Sequence, residues 1–322
     1  MRLTFKQISY ISEVARKGSI TAACSDLRIS QSSVLAAIKI AEEEIGTTIF
    51  VRRAGHGVEI TPAGQKFLVS VRRLLAAGLD FDRTISEFSS EATPVIRVGC
   101  FSPFGGLLIP PVLRRFIDTN GDCEIVLLEG DQVQLRNWIM NGSVDLVVTY
   151  DIGEEYGSGI TPICKLPAHA LLRSDDPASK SPTISMAELA ERPLILLDLP
   201  ETRTYLMALF DFVATRPKIG LRTRSYETIR SAVSSGLGAS ILNIRPTLES
   251  SPDSPDLRRI PISDKLRQPT LLVADPYGES KPVYVRSFIH ILHQYFAELG
   301  PERFAVASKE FAKDLIFPRP TC

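Results

Sequence analysis

The 322-residue sequence lacks several features that assign a chain to common protein classes. It has no run of eighteen apolar residues, and its amino terminus lacks the apolar stretch and small-residue cleavage site of a secretory signal. It also contains no GxSxG nucleophile motif, no P-loop and no dinucleotide fingerprint. These absences predict a cytoplasmic protein that does not associate with membranes and that has neither catalytic residues nor a cofactor.

Cysteine and histidine are both scarce. The five cysteines are an odd number and are widely spaced, with no pair at CxxC or metal-ligand spacing. Among the four histidines, His290 and His293 fall three residues apart in one helical pattern, but no third ligand is evident. We therefore predict no metal site, and we interpret Cys100 as a structural thiol rather than a redox sensor because its apolar neighbours raise a thiol pKa.

The chain has no net charge, with 37 basic and 37 acidic residues. This balance lacks the strongly basic footprint of a nucleic-acid-binding protein. The average is misleading, however, because residues 1–73 hold eleven Lys and Arg against six Asp and Glu, a net charge of +5. The remainder carries −5, and this asymmetry predicts that only the amino-terminal part meets a polyanion.

Apolar spacing predicts three helices in the first 46 residues. The first helix is indicated by Phe5, Ile8, Ile11 and Ala15 and ends at Lys17-Gly18. Ser19 and Ser30 are suited to cap the second and third helices. The inner stripe of the third helix is formed by Val34, Ile38, Ala41 and Ile45. This arrangement is typical of a helix-turn-helix, although a three-helix scaffold without a ligand fits the spacing equally well.

Several strings in this region resemble the DNA-binding domain of LysR-type transcriptional regulators. They are TAA (21–23), SQSSV (30–34), AI (37–38), EEEIG (42–46) followed by IFVR (49–52), and ITPAG (60–64). The resemblance implies a winged helix-turn-helix over residues 1–61. It also implies that the partner is double-stranded DNA with an interrupted dyad operator.

The same resemblance implies a set of DNA-binding residues. Gln31, Ser32 and Ser33 are expected to contact phosphates and base edges at the start of the recognition helix. Arg52 and Arg53 flank the wing, where a phosphate or minor-groove contact and a solvated surface charge are both open interpretations. The complete predicted set is Thr21, Gln31, Ser32, Ser33, Leu35, Lys39, Arg52 and Arg53.

One recognition-helix position departs from the family pattern. Leu35 stands where these regulators usually carry a serine. We hypothesise that Leu35 packs on a thymine methyl group, which is the apolar contact that the major groove offers. The alternative is that Leu35 tucks against the surface of its own domain.

A single long helix is predicted from Pro62 onward, within a linker over residues 62–92, because proline is favourable at the first helical position. Its apolar residues repeat every three or four positions, at Phe67, Val71, Leu74, Gly78, Phe81, Ile85 and Phe88. This coiled-coil seam predicts a partner helix and a homodimer, and the resemblance allows a homotetramer. The alternative is that the seam packs on the second domain of the same chain.

Beyond residue 94, apolar runs alternate with helical patterns, which predicts a parallel sheet flanked by helices. Residues 99–116, GSVDL (142–146) and SGLG (235–238) resemble the effector-binding domain of the same family, which is similar to periplasmic binding proteins. The resemblance implies a two-lobed α/β effector domain over residues 93–300. Lobe I is predicted at about 93–160 and 267–300, lobe II at about 161–266, and a C-terminal extension at 301–322.

Ligands of α/β lobes gather beyond the carboxyl ends of strands. Ser102 is predicted to cap a helix with Pro103 at its first position, and that helix terminus favours an anion, although an ordinary cap is the alternative. For Arg203, an ion pair with an acidic group of the ligand and simple solvation are both open interpretations. The predicted effector-binding set is Ser102, Phe104, Thr149, Thr202, Ser225 and Asn243.

These observations together predict a LysR-type regulator controlled by a small-molecule effector. The helix terminus at Ser102 favours an anionic effector. The effector would redistribute the states of DNA bend and of RNA polymerase contact by binding one state better than another. One alternative is a solute-binding protein or a small-molecule enzyme of the two-lobed fold. Another is an architectural DNA-binding protein that binds no ligand.

Overall fold

The computed structural model describes residues 2–53, 57–88, 95–157, 159–247, 255–307 and 315–317. Within these ranges, the side chains of residues 52–53, 76, 79–80 and 82–88 are outside the description. None of the described helices is both long enough and apolar enough to cross a membrane.

The amino-terminal region folds into three helices followed by a two-stranded wing. The helices are α1 (Phe5–Lys17), α2 (Ile20–Leu27) and α3 (Gln31–Ile45), and the wing strands are β1 (Phe50–Arg53) and β2 (Gly57–Ile60). Ser19 and Ser30 cap α2 and α3 by accepting hydrogen bonds from Ala22 N–H and Ser33 N–H. Gly18 ends α1 in the left-handed region, at φ 61°. The predicted helix-turn-helix and wing are confirmed.

The inner faces of these helices meet in one core. Its fully buried members include Ile11, Val14, Val34 and Ala41. The apolar spacing that predicted the stripe of α3 is thus the spacing that fills this core.

The linker helix α4 (Pro62–Phe88) begins on the same core. Val71, predicted to face a partner helix, is buried together with the core of α1 and α3. A Cβ at Gly78 would overlap the ring of Phe5 on α1, so this glycine gives the ring room. The first part of the predicted seam therefore packs on the DNA-binding domain of its own chain. Leu74 and Phe81 are exposed, and the side chains of Ile85 and Phe88 lie outside the description.

Lobe I is built on a five-stranded sheet in the order β4-β3-β5-β12-β6. Its strands are β3 (Val95–Phe101), β4 (Glu124–Gly130), β5 (Leu146–Tyr150), β6 (Ile160–Lys165) and β12 (Thr270–Ala274). The helices of this lobe are α5 (Ser102–Leu107), α6 (Ile109–Asn120), α7 (Gln132–Met140) and α11 (Val283–Leu299). The single tryptophan of the chain, Trp138, lies on α7.

Lobe II contains two smaller sheets. Its strands are β7 (His169–Arg173), β8 (Leu194–Leu197), β9 (Ile219–Thr223), β10 (Ser240–Leu242) and β11 (Leu257–Pro261). Its helices are α8 (Met186–Ala190), α9 (Pro200–Ala208) and α10 (Tyr226–Ser234), with a 3-10 turn at Pro177–Lys180. The order β10-β7-β11 is antiparallel, β8 and β9 are parallel, and a bridge from Leu194 to Ala239 joins the two sheets.

The structure corrects two details of the predicted effector domain. The sheet of lobe I is mixed rather than fully parallel, because β12 runs antiparallel to both β5 and β6. Since β6 belongs to this sheet, lobe I extends through Lys165 and the predicted boundary between residues 160 and 161 is wrong. The two crossings between the lobes lie side by side, with Leu166 N–H donating to Pro269 O at 2.8 Å.

Part of the predicted C-terminal extension belongs to lobe I. The short helix α12 (Pro301–Phe304) ends in the fully buried Phe304. Ile316 then forms an antiparallel bridge with Cys164 on the outer side of β6. Phe317 N–H donates to Ile163 O at 3.0 Å, and His293 Nε2 lies 2.7 Å from Phe317 O. The described tail residues thus pair with the edge of the sheet through one β-bridge.

Candidate functional site

The outer face of α3 presents the side chains predicted to meet DNA. All of those with described side chains are exposed, namely Thr21, Gln31, Ser32, Ser33, Leu35 and Lys39. Gln31 Nε2 donates to Thr21 Oγ1 at 3.1 Å, which ties the start of α3 to α2. The structure therefore brings these residues together on one surface.

Hydroxyl groups cluster at the amino terminus of α3. Ser30 Oγ accepts from Ser33 N–H and lies 2.9 Å from both Ser32 Oγ and Ser33 Oγ. A helix amino terminus carries partial positive charge, and hydroxyl groups donate well to phosphate oxygens. This end of α3 is therefore suited to the DNA backbone.

Leu35 is 37% exposed on this face. Such exposure leaves its side chain accessible to a groove. We expect Leu35→Ser to weaken binding to an operator that carries thymine at the contacted position by roughly fivefold, because the methyl contact is lost. Anisotropy titrations with thymine and uracil versions of the operator measure this effect.

Leu237→Ser provides the control for this prediction, because Leu237 is an exposed leucine of lobe II. It should leave both affinities unchanged. An unchanged thymine preference in Leu35→Ser contradicts the methyl contact.

The wing is held close to α1. Val58 N–H donates to Gly18 O at 2.8 Å, and the backbones of Arg52 and Arg53 pair with Val58 and Gly57. The side chains of Arg52 and Arg53 lie outside the description, so their DNA contacts stay predictions.

Arg28 was absent from the predicted set. It occupies the turn between α2 and α3 in the left-handed region, at φ 54°, and its side chain is exposed. Its place in the sequence, as a basic residue two positions before the cap Ser30, was the feature that could have added Arg28 to the predicted set.

A small cavity of about 20 Å³, partly open to solvent, lies between the two lobes. It is lined from lobe I by Phe101, Pro103, Tyr150 and Ile152, and from lobe II by Leu197, Thr202, Leu206, Tyr226, Ile241, Leu242, Asn243 and Ile244. Thr202 and Asn243 are the two members of the predicted effector set that line it. Their role in binding stays a prediction.

The other predicted effector residues lie elsewhere. Phe104 is fully buried beneath the cavity, in edge contact with Phe101 and Tyr150. Thr149 is also fully buried, and its Oγ1 accepts from Tyr156 OH at 3.3 Å. Ser225 is an exposed cap of α10 that accepts from Thr228 N–H. None of these three residues lines the cavity, because strand ends and helix caps point in several directions.

The interpretation of Ser102 as a helix cap is also wrong. Phe101 is the cap of α5, no side chain makes a capping hydrogen bond there, and Ser102 is the first helical residue. The helix is only six residues long. The predicted anion site at this terminus therefore loses its structural basis.

A polar network connects the lobes beside the cavity. Thr202 Oγ1 lies within hydrogen-bond distance of the side-chain amide of Gln132, at 3.2 and 3.3 Å. Tyr156 OH donates to Thr149 Oγ1 or, at 3.4 Å, to Gln132 O. The contact between Thr202 and Gln132 joins the two lobes, and Tyr156 extends the network within lobe I.

An ion pair reinforces this contact. Arg136 on α7 binds Glu201 on α9 through two hydrogen bonds, one of them from Nη1 to Oε2 at 2.8 Å. The two side chains are only 10% and 18% exposed. Burial acts to lower the pKa of Arg136, but the hydrogen bond and charge of Glu201 outweigh it and the pKa is raised. On the other side of α7, Arg224 Nη2 lies 3.0 Å from Asp131 Oδ2. We call the Arg136–Glu201 pair the lobe clasp.

A second network lies behind the lobe II wall. Arg259 donates from Nη2 to Tyr226 OH at 2.9 Å, and its Nη1 lies 2.7 Å from His169 Nε2. Because a guanidinium only donates, Nε2 of His169 is the acceptor and the imidazole is neutral. Burial lowers the pKa of His169 well below its ordinary value, and the positive charges of Arg259 and Arg245 lower it as well.

This buried histidine predicts a pH dependence. The unfolded state takes up a proton below about pH 6.5 whereas folded His169 stays neutral, so stability is complete above that pH and is lost as pH falls. The loss is at most about 1.4 kcal/mol per pH unit. The free energy of unfolding of the wild type should therefore fall relative to His169→Gln by about 1 kcal/mol between about pH 7 and about pH 5.5. Parallel pH profiles of the two proteins would contradict this assignment.

The surroundings of Cys100 and Arg203 bear on how these two residues were interpreted from the sequence. Burial raises the pKa of the Cys100 thiol to about 12, which fits a structural thiol. Arg203 Nη1 pairs with Asp198 at 2.9 Å rather than facing the cavity.

Comparison with known proteins identifies both parts of the chain. Residues 5–65 match the bacterial regulatory helix-turn-helix protein of the lysR family, and residues 89–297 match the LysR substrate binding domain. The uncharacterized HTH-type transcriptional regulator YcgK of Bacillus subtilis is 28% identical over 260 residues, covering 74% of this chain and 79% of YcgK. The HTH-type transcriptional regulator CysB of Haemophilus influenzae is 26% identical over 239 residues, covering 73% and 74%.

Solved structures show the same arrangement of domains. The LysR family regulator HinK of Pseudomonas aeruginosa is 26% identical, with coverage of 91% of this chain and 98% of HinK and a TM-score of 0.56. Full-length OxyR of Pseudomonas aeruginosa, 20% identical, shares the fold over 99% of this chain and 100% of its own, with a TM-score of 0.65. The chain belongs to the LysR family of transcriptional regulators.

Proposed function

We propose that this regulator acts in the cytoplasm as a homodimer or homotetramer on an interrupted dyad operator. A small molecule bound between the lobes of the effector domain changes the DNA complex and its contact with RNA polymerase. The observation that carries the proposal is the exposed face formed by α3 and the start of α2, which belongs to the basic amino-terminal part of the chain. A helix with this exposure fits the major groove.

An exposed apolar strip supports self-association. Phe5, Leu74 and Phe81 are 47%, 38% and 64% exposed along α1 and α4. A two-fold dimer formed through this strip would pair two α3 helices for the two halves of a dyad. The effector then acts only through a difference in its affinity for the two DNA-bound arrangements.

The proposal is tested with full-length protein and DNA from upstream of its own gene. Fluorescence anisotropy, with competitor DNA present, should show specific binding that weakens steeply with salt. Lys39→Ala should weaken binding several-fold and reduce the salt slope by about 1, because one phosphate contact is lost.

Lys180→Ala is the matched control, since Lys180 is an exposed lysine of lobe II. It should leave both affinity and slope unchanged. Binding that is independent of salt, or an equal effect of the two variants, contradicts the assigned DNA face.

A further inference from the structure

The walls of the inter-lobe cavity carry no charged residue among the twelve described residues that line it. Eight of the twelve are aliphatic, proline or phenylalanine residues. The other four are Tyr150, Tyr226, Thr202 and Asn243. Cations near the cleft are held by other groups, as Arg203 is by Asp198 and Arg267 is by Asp151 O at 2.7 Å. An anion buried in this cavity would lose hydration without gaining a counter-charge.

Tyr150 presents an unused hydroxyl to the cavity. The residue is 3% exposed, and its ring is held between Phe101 and Phe104 at centroid distances of 5.3 and 4.9 Å. Within the described part of the chain, its hydroxyl has no hydrogen-bond partner. Burial raises the pKa of Tyr150 well above its ordinary value, with Tyr226 and Tyr205 nearby, so the group remains a neutral phenol. A hydroxyl that protein atoms leave unpaired at a cavity is free to bond a water molecule or a ligand.

Asn243 presents an unused acceptor from the opposite lobe. Its Nδ2 donates to Leu166 O at 2.9 Å and to Tyr205 OH at 3.0 Å. Because Leu166 O can only accept, the amide orientation is fixed with Oδ1 pointing away from it. Among the described residues, none donates to this oxygen, although Asn243 is only 8% exposed. The cavity therefore offers one phenol from lobe I and one amide oxygen from lobe II.

The other polar groups of the wall are already paired. Thr202 is bonded to Gln132, and Tyr226 OH donates to Ile244 O at 2.8 Å while it accepts from Arg259. The two unpaired groups thus define which polar atoms a ligand needs. They call for one hydrogen-bond donor that faces Asn243 and one polar group that faces Tyr150.

We propose that the effector is an uncharged, mainly apolar molecule that bridges the lobes by hydrogen bonds to Tyr150 OH and Asn243 Oδ1, and that the cleft rejects the corresponding anion. The cavity volume of about 20 Å³ is close to the space that one water molecule needs, so a larger ligand binds only as the lobes move apart. Neutral aromatic amides have this chemistry, because the amide N–H can donate to Asn243 Oδ1 while the amide carbonyl accepts from Tyr150 OH. This inference rests on the proposed role of the cleft as the effector site.

The test uses full-length protein and matched neutral and anionic probes, benzamide with benzoate and nicotinamide with nicotinate, and inorganic sulfate. Calorimetric titration and thermal shift are measured near pH 7.5 with each probe at up to about 5 mM, a range suited to fragment affinities. The neutral member of a pair should bind about tenfold more tightly than its anion. Tighter binding of an anion or of sulfate, or binding by none of the neutral probes, overturns the proposal.

Tyr150→Phe removes the hydroxyl and keeps the ring contacts, and it should weaken neutral-probe binding by about tenfold. Tyr295→Phe is the control, because Tyr295 OH bonds Thr247 Oγ1 at 3.1 Å on α11 and does not line the cavity. Equal affinities of Tyr150→Phe and the wild type also overturn the proposal. Operator binding is measured separately: its absence contradicts the proposed function, whereas a preference for anions with operator binding intact contradicts only the ligand class.

Discussion

Arg136→Ala is expected to lower the free energy of unfolding of the effector domain by about 3 kcal/mol. The substitution leaves the Glu201 carboxylate, which is 18% exposed, without its guanidinium partner between the lobes. It also removes the guanidinium from its place over the Tyr156 ring, at 5.6 Å from the centroid. Trp138 lies on the same helix and is the only tryptophan of the chain, so its fluorescence in urea reports unfolding of this region.

Arg114→Ala provides the comparison for the lobe clasp. Arg114 and Asp118 also form an ion pair, but the two side chains are 71% and 52% exposed. Solvent screens such a pair, and its loss should cost less than about 0.5 kcal/mol. If the two alanine variants unfold at the same urea concentration, the lobe clasp contributes no stability.

The double variant R136M/E201L separates the charge from the contact. Replacing both partners by apolar side chains of similar size removes the desolvation cost together with the attraction. We expect it to recover most of the stability that Arg136→Ala loses. Because the pair joins α7 of lobe I to α9 of lobe II, the same variants also show how far lobe contact controls effector affinity.

Gly64→Ala is expected to destabilise the DNA-binding domain by about 3 kcal/mol and to abolish salt-sensitive operator binding. A Cβ at Gly64 would overlap the carbonyl oxygen of Ile49 and lie 3.1 Å from its Cα. Backbone cannot move aside as a flexible side chain can. Thr61 Oγ1 also accepts from Gly64 N–H at 2.9 Å and donates to Thr48 O at 2.7 Å, so α4 has little freedom to shift.

Gly106→Ala is the control for this substitution. Gly106 lies in α5, and no atom stands within 4 Å of the position that its Cβ would take. Its replacement should be neutral or slightly stabilising, since alanine favours a helix over glycine. Thermal unfolding and anisotropy are measured on both variants. Operator binding by Gly64→Ala at the wild-type level would show that the linker and the wing tolerate separation.

Local signals in the sequence predicted the amino-terminal domain well. Caps such as Ser19 and Ser30 and the stop at Gly18 act within one helical turn, so a short stretch of sequence contains their physical cause. The strand β6 was missed because Pro162 interrupts its pattern. Its position at the sheet edge, with a register shift against β12, accommodates the proline.

The effector site was less predictable because it depends on contacts between distant parts of the chain. Thr202 and Gln132 are 70 residues apart in sequence, and their pairing decides that the threonine hydroxyl is occupied. Thr149 was selected for its place near a strand end, whereas the adjacent Tyr150 carries the hydroxyl that faces the cavity. Because side chains alternate along a strand, Thr149 and Tyr150 point to opposite faces of the sheet. The sequence alone does not say which of these faces borders the cleft.

The tail segment beside β6, residues 315–317, affects how the effector domain can be isolated. Residues 315–317 cover backbone groups that a sheet edge would otherwise offer to a second chain, and Leu315 and Phe304 fill the space beneath them. A fragment that stops at the end of α11 would leave this edge open and invite aggregation. Effector-domain fragments intended for crystallisation or ligand screening should therefore extend at least to Phe317.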